Sequence, residues 1–336
     1  MAKRILFLVN GLGLGNSTRC HAVIEQLISM GSIVGIVTSG NGHWYFANNP
    51  VSKDVFEISQ LNYSKKHGRL DILGTIFSFR KMLNVTKENS EILSDIIQNF
   101  EPDVVVSDSV YAVNSIKKIG IPLISLNNAD VVVSYYMKYG VPRSVRFQFH
   151  AIERIDYLFN RFMYDLVISP SLEFDSNILH DKIYRTPPIV RHGLKSALEV
   201  KEHRAIIMLS GSTFGTQPKF KKQGFGIPVD VVGREKAEGN TDGEHGISFI
   251  GRTPNAIQYV NKSNLAVVNG GFSAVSEMFF RRCPMVVVPV PGHSEQYVNA
   301  KIIESLGVGI LAEEHELENK LVQLIKRFEE FDEAYT

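Results

Sequence analysis

Cysteine is almost missing from this chain: its 336 residues include two, Cys20 and Cys283. Two thiols cannot build a disulfide framework, so a reducing, cytoplasmic setting is the expectation. No Cys-x-x-Cys pair or His/Cys cluster has the spacing of a zinc site, and no bound metal is expected. A surplus of charge is missing too. Lys+Arg is 36 against 35 Asp+Glu, a formal charge of +1, which argues against a dedicated nucleic-acid binder. No apolar run approaches the roughly 18 residues that span a bilayer. The start, Met1-Ala-Lys-Arg-Ile-Leu-Phe-Leu-Val9, imitates a secretory signal, but its apolar run stops at Asn10-Gly11. That is shorter than a signal core needs, and it reads as a first strand. With 44% hydrophobic and 21% charged residues, the chain is globular, which excludes wholesale disorder and fibrous folds.

What is present is a repeated α/β rhythm. Ile5–Val9 is a continuous apolar run ended by glycines, as a strand buried on both faces should be. A helix over about Ser17–Met30 follows, with Cys20, Val23, Ile24, Leu27 and Ile28 on one face, and then a strand over Ser32–Thr38. This βαβ unit predicts a parallel sheet with a right-handed crossover. Further on, Leu73–Phe100 reads as helix with a stripe of Ile92, Leu93, Ile96, Ile97 and Phe100. Asp103–Ser107, Pro122–Leu126 and Asp165–Ser169 read as strands, and Arg146–Tyr164 as an aromatic-rich helix. Thr186–His203 looks like a linker. Then the rhythm restarts with strands at Ala205–Leu209, Pro228–Val232, Ile247–Ile250, Leu265–Val268, Met285–Val288 and Gly309–Ala312, and a last helix over Glu316–Phe331. Gly233–Gly246 is expected to be a loop. The length suits two domains, expected at 1–190 and 204–336 around a linker at 191–203. Packing of the last helix back on the first domain is left open.

Three segments carry chemistry. Gly11-Leu-Gly13-Leu-Gly15-Asn16 lies between a strand and a helix, where backbone N–H groups receive anions. It is not the dinucleotide fingerprint, because Asn16 takes the third glycine's place, and no Gly-Lys-Ser/Thr makes it a P-loop. A purely structural βα turn is the competing reading. Asn269-Gly270-Gly271-Phe-Ser273-Ala274-Val-Ser276-Glu277 opens a helix after a strand. Its N–H groups suit a phosphate, and Glu277, one turn in, suits vicinal ribose hydroxyls. Ordinary capping by Ser273 is the alternative. Pro289-Val-Pro-Gly-His293-Ser-Glu295-Gln296 follows another strand, where Glu295 and Gln296 suit a polyhydroxyl ligand or are simply solvated.

Gly-Gly-x-Ser-x-x-Ser-Glu, then Pro-Met-Val-Val-Val-Pro, then Glu-Gln and Asn-Ala resembles the donor-binding signature of GT-B glycosyltransferases. The pattern is similar to UDP-glycosyltransferases and to the bacterial enzyme that adds N-acetylglucosamine to the lipid-linked peptidoglycan precursor. The short length and Gly-x-Gly-x-Gly start resemble archaeal members. The resemblance implies two Rossmann-like, doubly wound parallel-sheet domains facing a cleft. The donor, expected to be a UDP-sugar that is substrate rather than cofactor, would sit mainly on the C-terminal domain. Ser273 and Ala274 would offer N–H groups to the diphosphate, with Ser210-Gly211-Ser212-Thr213 as a second contact. Glu277 would hold the ribose, Glu295 and Gln296 the sugar. The stretch around Ile250 and Arg252 would meet the base, Arg252 by stacking.

Two departures from the family pattern matter. Asn269 stands where a phosphate-contacting His is usual, and Asn16 where many relatives carry the His that deprotonates the acceptor. Asn cannot act as a base. Three accounts stay open: Asp108 as base, a substitute such as His21 or His43, or lost transfer with binding kept. Direct displacement with inversion and without a metal is expected, since no Asp-x-Asp motif is present. A UDP-N-acetylglucosamine 2-epimerase and a degenerate nucleotide-sugar-binding protein are the competing functions. Finally, Arg143, Arg146, Arg154 and Arg161 lie among Phe147, Phe149, Tyr157, Phe159 and Phe162. This stretch suits an anionic membrane and a lipid-linked acceptor, although a core-facing helix with a solvated basic side is the commoner source of such a pattern.

Overall fold

The computed structural model describes residues 2–60, 65–66, 69–70, 79–173, 179–200, 202–209, 224–233 and 246–335. The chain forms two compact units: residues 1–141 with 150–189, and residues 142–149 with 190–336. The segment read as a linker therefore belongs to the second unit, and so does the short stretch 142–149.

In the first unit the strands are β1 (Arg4–Val9), β2 (Ile33–Thr38), β3 (Asp54–Glu57), β6 (Val104–Asp108), β7 (Leu123–Leu126), β8 (Leu166–Pro170) and β9 (Ile183–Thr186), with the small pair β4 (Lys65–Lys66) and β5 (Arg69–Leu70) apart. The main sheet is parallel in the order β3-β2-β1-β6-β7-β8-β9. The continuous apolar run of β1 has a direct cause. Leu6 and Leu8 enter one core, whereas Ile5, Phe7 and Val9 enter another on the opposite face. Side chains alternate across a strand, so a sheet covered on both sides needs apolar residues at every position. Each such buried side chain is worth roughly 1.5–3 kcal/mol relative to exposure.

Helix α1 (Leu14–Ser29) begins earlier than the periodicity predicts, so Gly15 and Asn16 lie in its first turn. Cys20 and Ile24 are buried as expected, but Ile28 is 37% exposed. Helix α2 (Gly40–Asn48) follows β2. In α3 (Phe79–Phe100) the expected stripe holds for Leu93, Ile96, Ile97 and Phe100, while Ile92 faces solvent. Helices α4 (Asn114–Ile119) and α5 (Ala129–Tyr139) follow β6 and β7.

The expected single helix over Arg146–Tyr164 is three pieces: a short turn α6 (Arg146–Gln148), a π-turn (Phe149–Glu153) and α7 (Arg154–Met163). The extra residue per turn falls where the chain passes from the second unit back to the first. Gln148 stays with the second unit, accepting from the Ser294 backbone N–H at 2.9 Å.

The second unit repeats the plan. Strands β10 (Ala205–Met208), β11 (Val229–Val232), β12 (Ile247–Gly251), β13 (Leu265–Val268), β14 (Met285–Val287) and β15 (Gly309–Leu311) form a parallel sheet in the order β12-β11-β10-β13-β14-β15. Helices α8 (Ile257–Lys262), α9 (Phe272–Phe280), α10 (Ser294–Ser305), α11 (Leu317–Lys326) and α12 (Phe328–Glu333) accompany it. The C-terminal helix packs into the second unit. Phe331 enters the second unit's core, and the Tyr335 hydroxyl donates to the Cys283 carbonyl at 3.0 Å. Most of Gly233–Gly246 lies outside the described residues. Among the described residues, no helix is long and apolar enough to cross a membrane.

Candidate functional site

In both sheets the strand order reverses direction once, between β1 and β6 and between β10 and β13. Loops leaving the carboxyl ends of those strands diverge to opposite faces, which opens a crevice for ligands. The predicted site residues fall at these edges. On the second unit, Ile250 is half-buried and Arg252 exposed at the end of β12. Asn269, Gly270 and Gly271 follow β13, and Glu295 and Gln296 open α10 after β14. Ser210, Gly211, Ser212 and Thr213 lie outside the described residues.

The turn after β13 is built by its neighbours. The Asn299 Nδ2 donates to the Gly270 carbonyl at 2.8 Å, and Asn299 is 1% exposed. Gly270 has φ of +26°, and a β-carbon there would lie 2.5 Å from the Gln296 carbonyl oxygen. Gly271, in contrast, faces open space and is the N-cap of α9, with no side-chain cap. Capping by Ser273 is thus overturned, since that residue is the second of the helix. The first N–H with a helical partner is that of Val275, which donates to Gly271. The N–H groups of Phe272, Ser273 and Ala274 precede it at the positive end of the helix.

Three residues differ from expectation here. Asn269 was expected to donate to phosphate, but its Nδ2 donates to the Val288 carbonyl at 3.0 Å. Its Oδ1, an acceptor, is buried without a partner among the described residues. Gln296 was expected on sugar hydroxyls, yet it is 8% exposed and its Oε1 takes the Val290 N–H at 2.9 Å, fixing its own loop. Glu295 is half-buried in the first turn. Glu277 is buried, and both its oxygens are held by Arg191. Nε donates to Oε1 at 2.6 Å and Nη2 to Oε2 at 2.7 Å. Arg191 escaped sequence reasoning because its segment reads as a linker.

His293 caps α10, its Nδ1 accepting from the Gln296 N–H at 3.5 Å. Burial pulls its pKa down to about 4. The imidazole is therefore neutral near pH 7, with its proton on Nε2. A neutral ring at a helix head offers a hydrogen-bond donor without adding charge.

On the first unit, the loop after β1 is pinned to the end of β6. The Asn10 N–H donates to the Asp108 carbonyl at 3.0 Å, and its Nδ2 to the Ser109 carbonyl at 2.9 Å. Gly11 is fixed by packing: a β-carbon there would sit 1.6 Å from the Ser39 carbonyl oxygen. Gly13, the N-cap of α1, has nothing near it, and α1 also lacks a side-chain cap. Asn16 is half-buried in the first turn.

Asp108, one of the three accounts of the base, is held in a buried ion pair. It is 0% exposed, with Oδ2 taking Arg19 Nε at 3.0 Å and Oδ1 taking Arg19 Nη2 at 2.8 Å. Cys20 Sγ lies 3.4 Å from Oδ2. Burial, then the Asp108 charge, raises the Cys20 thiol well above its ordinary range. With no exposed surface and Cys20 against Oδ2, this carboxylate is shut away from an acceptor hydroxyl by burial. The two histidines named as substitutes each lie beside a glutamate. His21 stacks on Phe46, with ring centroids 6.1 Å apart, and pairs with Glu25 at 3.4 Å. His43 is half-buried on α2, its Nδ1 3.6 Å from Glu57.

A second carboxylate at this edge was not foreseen. Asp156 on α7 accepts from Asn127 Nδ2 at 2.8 Å and Asn160 Nδ2 at 2.9 Å, and also from Tyr111. Burial raises its pKa to about 6, against those donors. The only sequence signal was Asn127-Asn128 at a strand's end.

With this geometry in hand, known proteins give it context. An uncharacterized glycosyltransferase from Methanosarcina mazei is 26% identical over 339 residues, covering 91% of this chain and 84% of that protein. The UDP-N-acetylglucosamine--N-acetylmuramyl-(pentapeptide) pyrophosphoryl-undecaprenol N-acetylglucosamine transferase of Thermosipho africanus is 35% identical over 80 residues, 22% of this chain and 24% of its own. The solved structure of spinosyn forosaminyltransferase SpnP aligns with a TM-score of 0.66 at 11% identity, over 100% of this chain and 93% of that one. The two doubly wound parallel units are the GT-B fold. Residues 3–328 match the family described as glycosyl transferase family 1, and the chain belongs to that glycosyltransferase family.

Proposed function

We propose that this glycosyltransferase takes its sugar from a nucleotide-diphosphate donor, a UDP-sugar. In this reading the acceptor's oxygen attacks the anomeric carbon, the diphosphate leaves, and the configuration inverts, with no metal required. One observation carries the donor assignment: the open, uncapped head of α9 at the end of β13, with the Glu277 carboxylate one turn inside. The helix N–H groups suit the leaving diphosphate, and a carboxylate suits a ribose's paired hydroxyls. The Thermosipho enzyme's name, with its UDP-N-acetylglucosamine donor, supports the choice of base. A thermal-shift screen of nucleoside diphosphates and their sugars tests it. UDP or a UDP-sugar at about 100 times its dissociation constant is expected to stabilise the chain by about 2.7 kcal/mol. UDP release on adding an acceptor should persist in EDTA. A screen in which only other nucleotides, or none, stabilise the chain removes the assignment.

For the acceptor, we propose a lipid-linked molecule reached from an anionic membrane surface. The outward face of α7 supports this. Its exposed positions are Arg154, Ile155, Leu158, Arg161 and Phe162, with Ile155 at 59% and Phe162 at 66% exposure. Of the stretch's other aromatics, Phe147 is exposed, Phe149 is buried, and Tyr157 and Phe159 pack against the core. The outer side is thus apolar between two cations, rather than merely basic. Co-sedimentation with phosphatidylglycerol-containing vesicles is expected, weakened by the pair Arg154→Glu and Arg161→Glu. Equal recovery with pure phosphatidylcholine, or none with either, is the opposing result.

A further inference from the structure

The Arg191–Glu277 pair is more built than a surface ion pair. The two side chains are 14% and 7% exposed, and each carboxylate oxygen takes one guanidinium N–H. The backbone behind Arg191 is also held. Asn261 Nδ2 donates to the Gly193 carbonyl at 2.8 Å, and the Lys195 N–H donates back to Asn261 Oδ1 at 2.9 Å. Arg281 Nε donates to the Lys195 carbonyl at 2.7 Å, and the Ala197 N–H to the Arg281 carbonyl at 2.7 Å. Arg281, 0% exposed, directly follows α9, so the segment carrying Arg191 is fastened to the helix carrying Glu277.

This arrangement bears on electrostatics. The head of α9 attracts an anion, but a bare carboxylate one turn further in repels it, and low-dielectric surroundings strengthen that repulsion. A carboxylate has about four acceptor positions; a guanidinium fork takes one on each oxygen and leaves one on each. Two remaining positions match two vicinal hydroxyls.

We propose that Arg191 is a positioning residue of the donor site, which aims the Glu277 carboxylate at ribose hydroxyls and cancels its charge for the arriving diphosphate. This rests on the reading of Glu277 as the ribose ligand. A planar fork holding both oxygens fixes the carboxylate plane, which a lysine cannot do. The charge effect predicts a dependence on the ligand. Loss of Arg191 should weaken a nucleoside diphosphate more than the uncharged nucleoside.

Titration calorimetry with UDP and with uridine, on the full chain, tests this. Arg191→Gln, which keeps a donor and removes the charge, should weaken UDP at least about tenfold more than uridine at low salt. High salt should narrow that gap. Arg191→Lys should restore the UDP–uridine ratio but leave both ligands weaker than for the parent. In a Glu277→Gln background the further change Arg191→Gln should alter UDP affinity by less than about threefold, because the two residues act as one unit. Equal losses of UDP and uridine, or an undiminished loss in the Glu277→Gln background, would overturn the proposal while leaving the donor reading intact. A parent chain that binds neither UDP nor uridine would overturn both.

Discussion

Asp108→Asn is expected to destabilise the chain by about 3–5 kcal/mol, the usual cost of breaking a buried pair by removing one partner. Arg19, 6% exposed, would keep its charge and lose the carboxylate that faces both of its guanidinium donors. Against a typical stability of 5–15 kcal/mol, that is enough to populate unfolded chain. Urea unfolding followed by circular dichroism measures it. Replacing both partners, Arg19→Met with Asp108→Leu, should cost less than either change alone, because no charge is stranded. The same experiment decides the role of Asp108 in transfer. A positioning group fails through the fold: the pair ties α1 to the end of β6, and the Asp108 carbonyl also takes the Asn10 N–H at the glycine turn. A general base would instead give a variant of native stability whose turnover alone collapses. Native stability with collapsed turnover for Asp108→Asn would therefore assign Asp108 as the base.

The reason this pair was not foreseen lies in what periodicity reports. Apolar runs such as Ile5–Val9 announce a strand covered on both faces, and the alternation of Leu6 and Phe7 into separate cores bears that out. Glycines after a strand announce a turn, and Gly270 and Gly11 are both fixed there. Such signals are local. The partners that decide chemistry lie far apart: Arg19 meets Asp108 across 89 positions, and Arg191 meets Glu277 across 86. Nothing in the neighbourhood of Arg191 distinguishes it from a solvated linker charge. Gln296 shows a different limit. Its neighbourhood fits a sugar ligand, but the same position places its amide beside the Val290 N–H, and the fold took the bond. The π-turn at Phe149–Glu153 has no compositional marker, since its residues suit an α-helix equally well. The two-unit plan was legible because it repeats; the occupancy of its carboxylates was not, because each depends on the other strand's crossover.

Gly11→Ala is expected to cost about 3 kcal/mol or more, whereas Gly13→Ala, two residues on, should leave stability within about 0.5 kcal/mol. The β-carbon at Gly11 would lie 1.6 Å from the Ser39 carbonyl oxygen, a backbone atom that cannot swing aside. Relief requires parting the turn from α2, whose Asn41 N–H donates to the Gly11 carbonyl at 3.1 Å. At Gly13 the φ is −127°, open to any residue, and no heavy atom lies within 4 Å. The same contrast recurs after β13, with Gly270 wedged against Gln296 and Gly271 open at φ −64°. In each turn, one glycine answers to packing and the other does not. A glycine that packing does not require, at the uncapped head of a helix, is free for a ligand's close approach. Gly271→Ala should accordingly match the parent in urea midpoint yet raise the KM for the nucleotide donor, and Gly13→Ala should do the same for the ligand of the first unit. Midpoints separate folding from binding here. If Gly13→Ala and Gly271→Ala leave every KM at the parental value, the open glycines serve neither ligand, and the helix heads lose their role as anion sites.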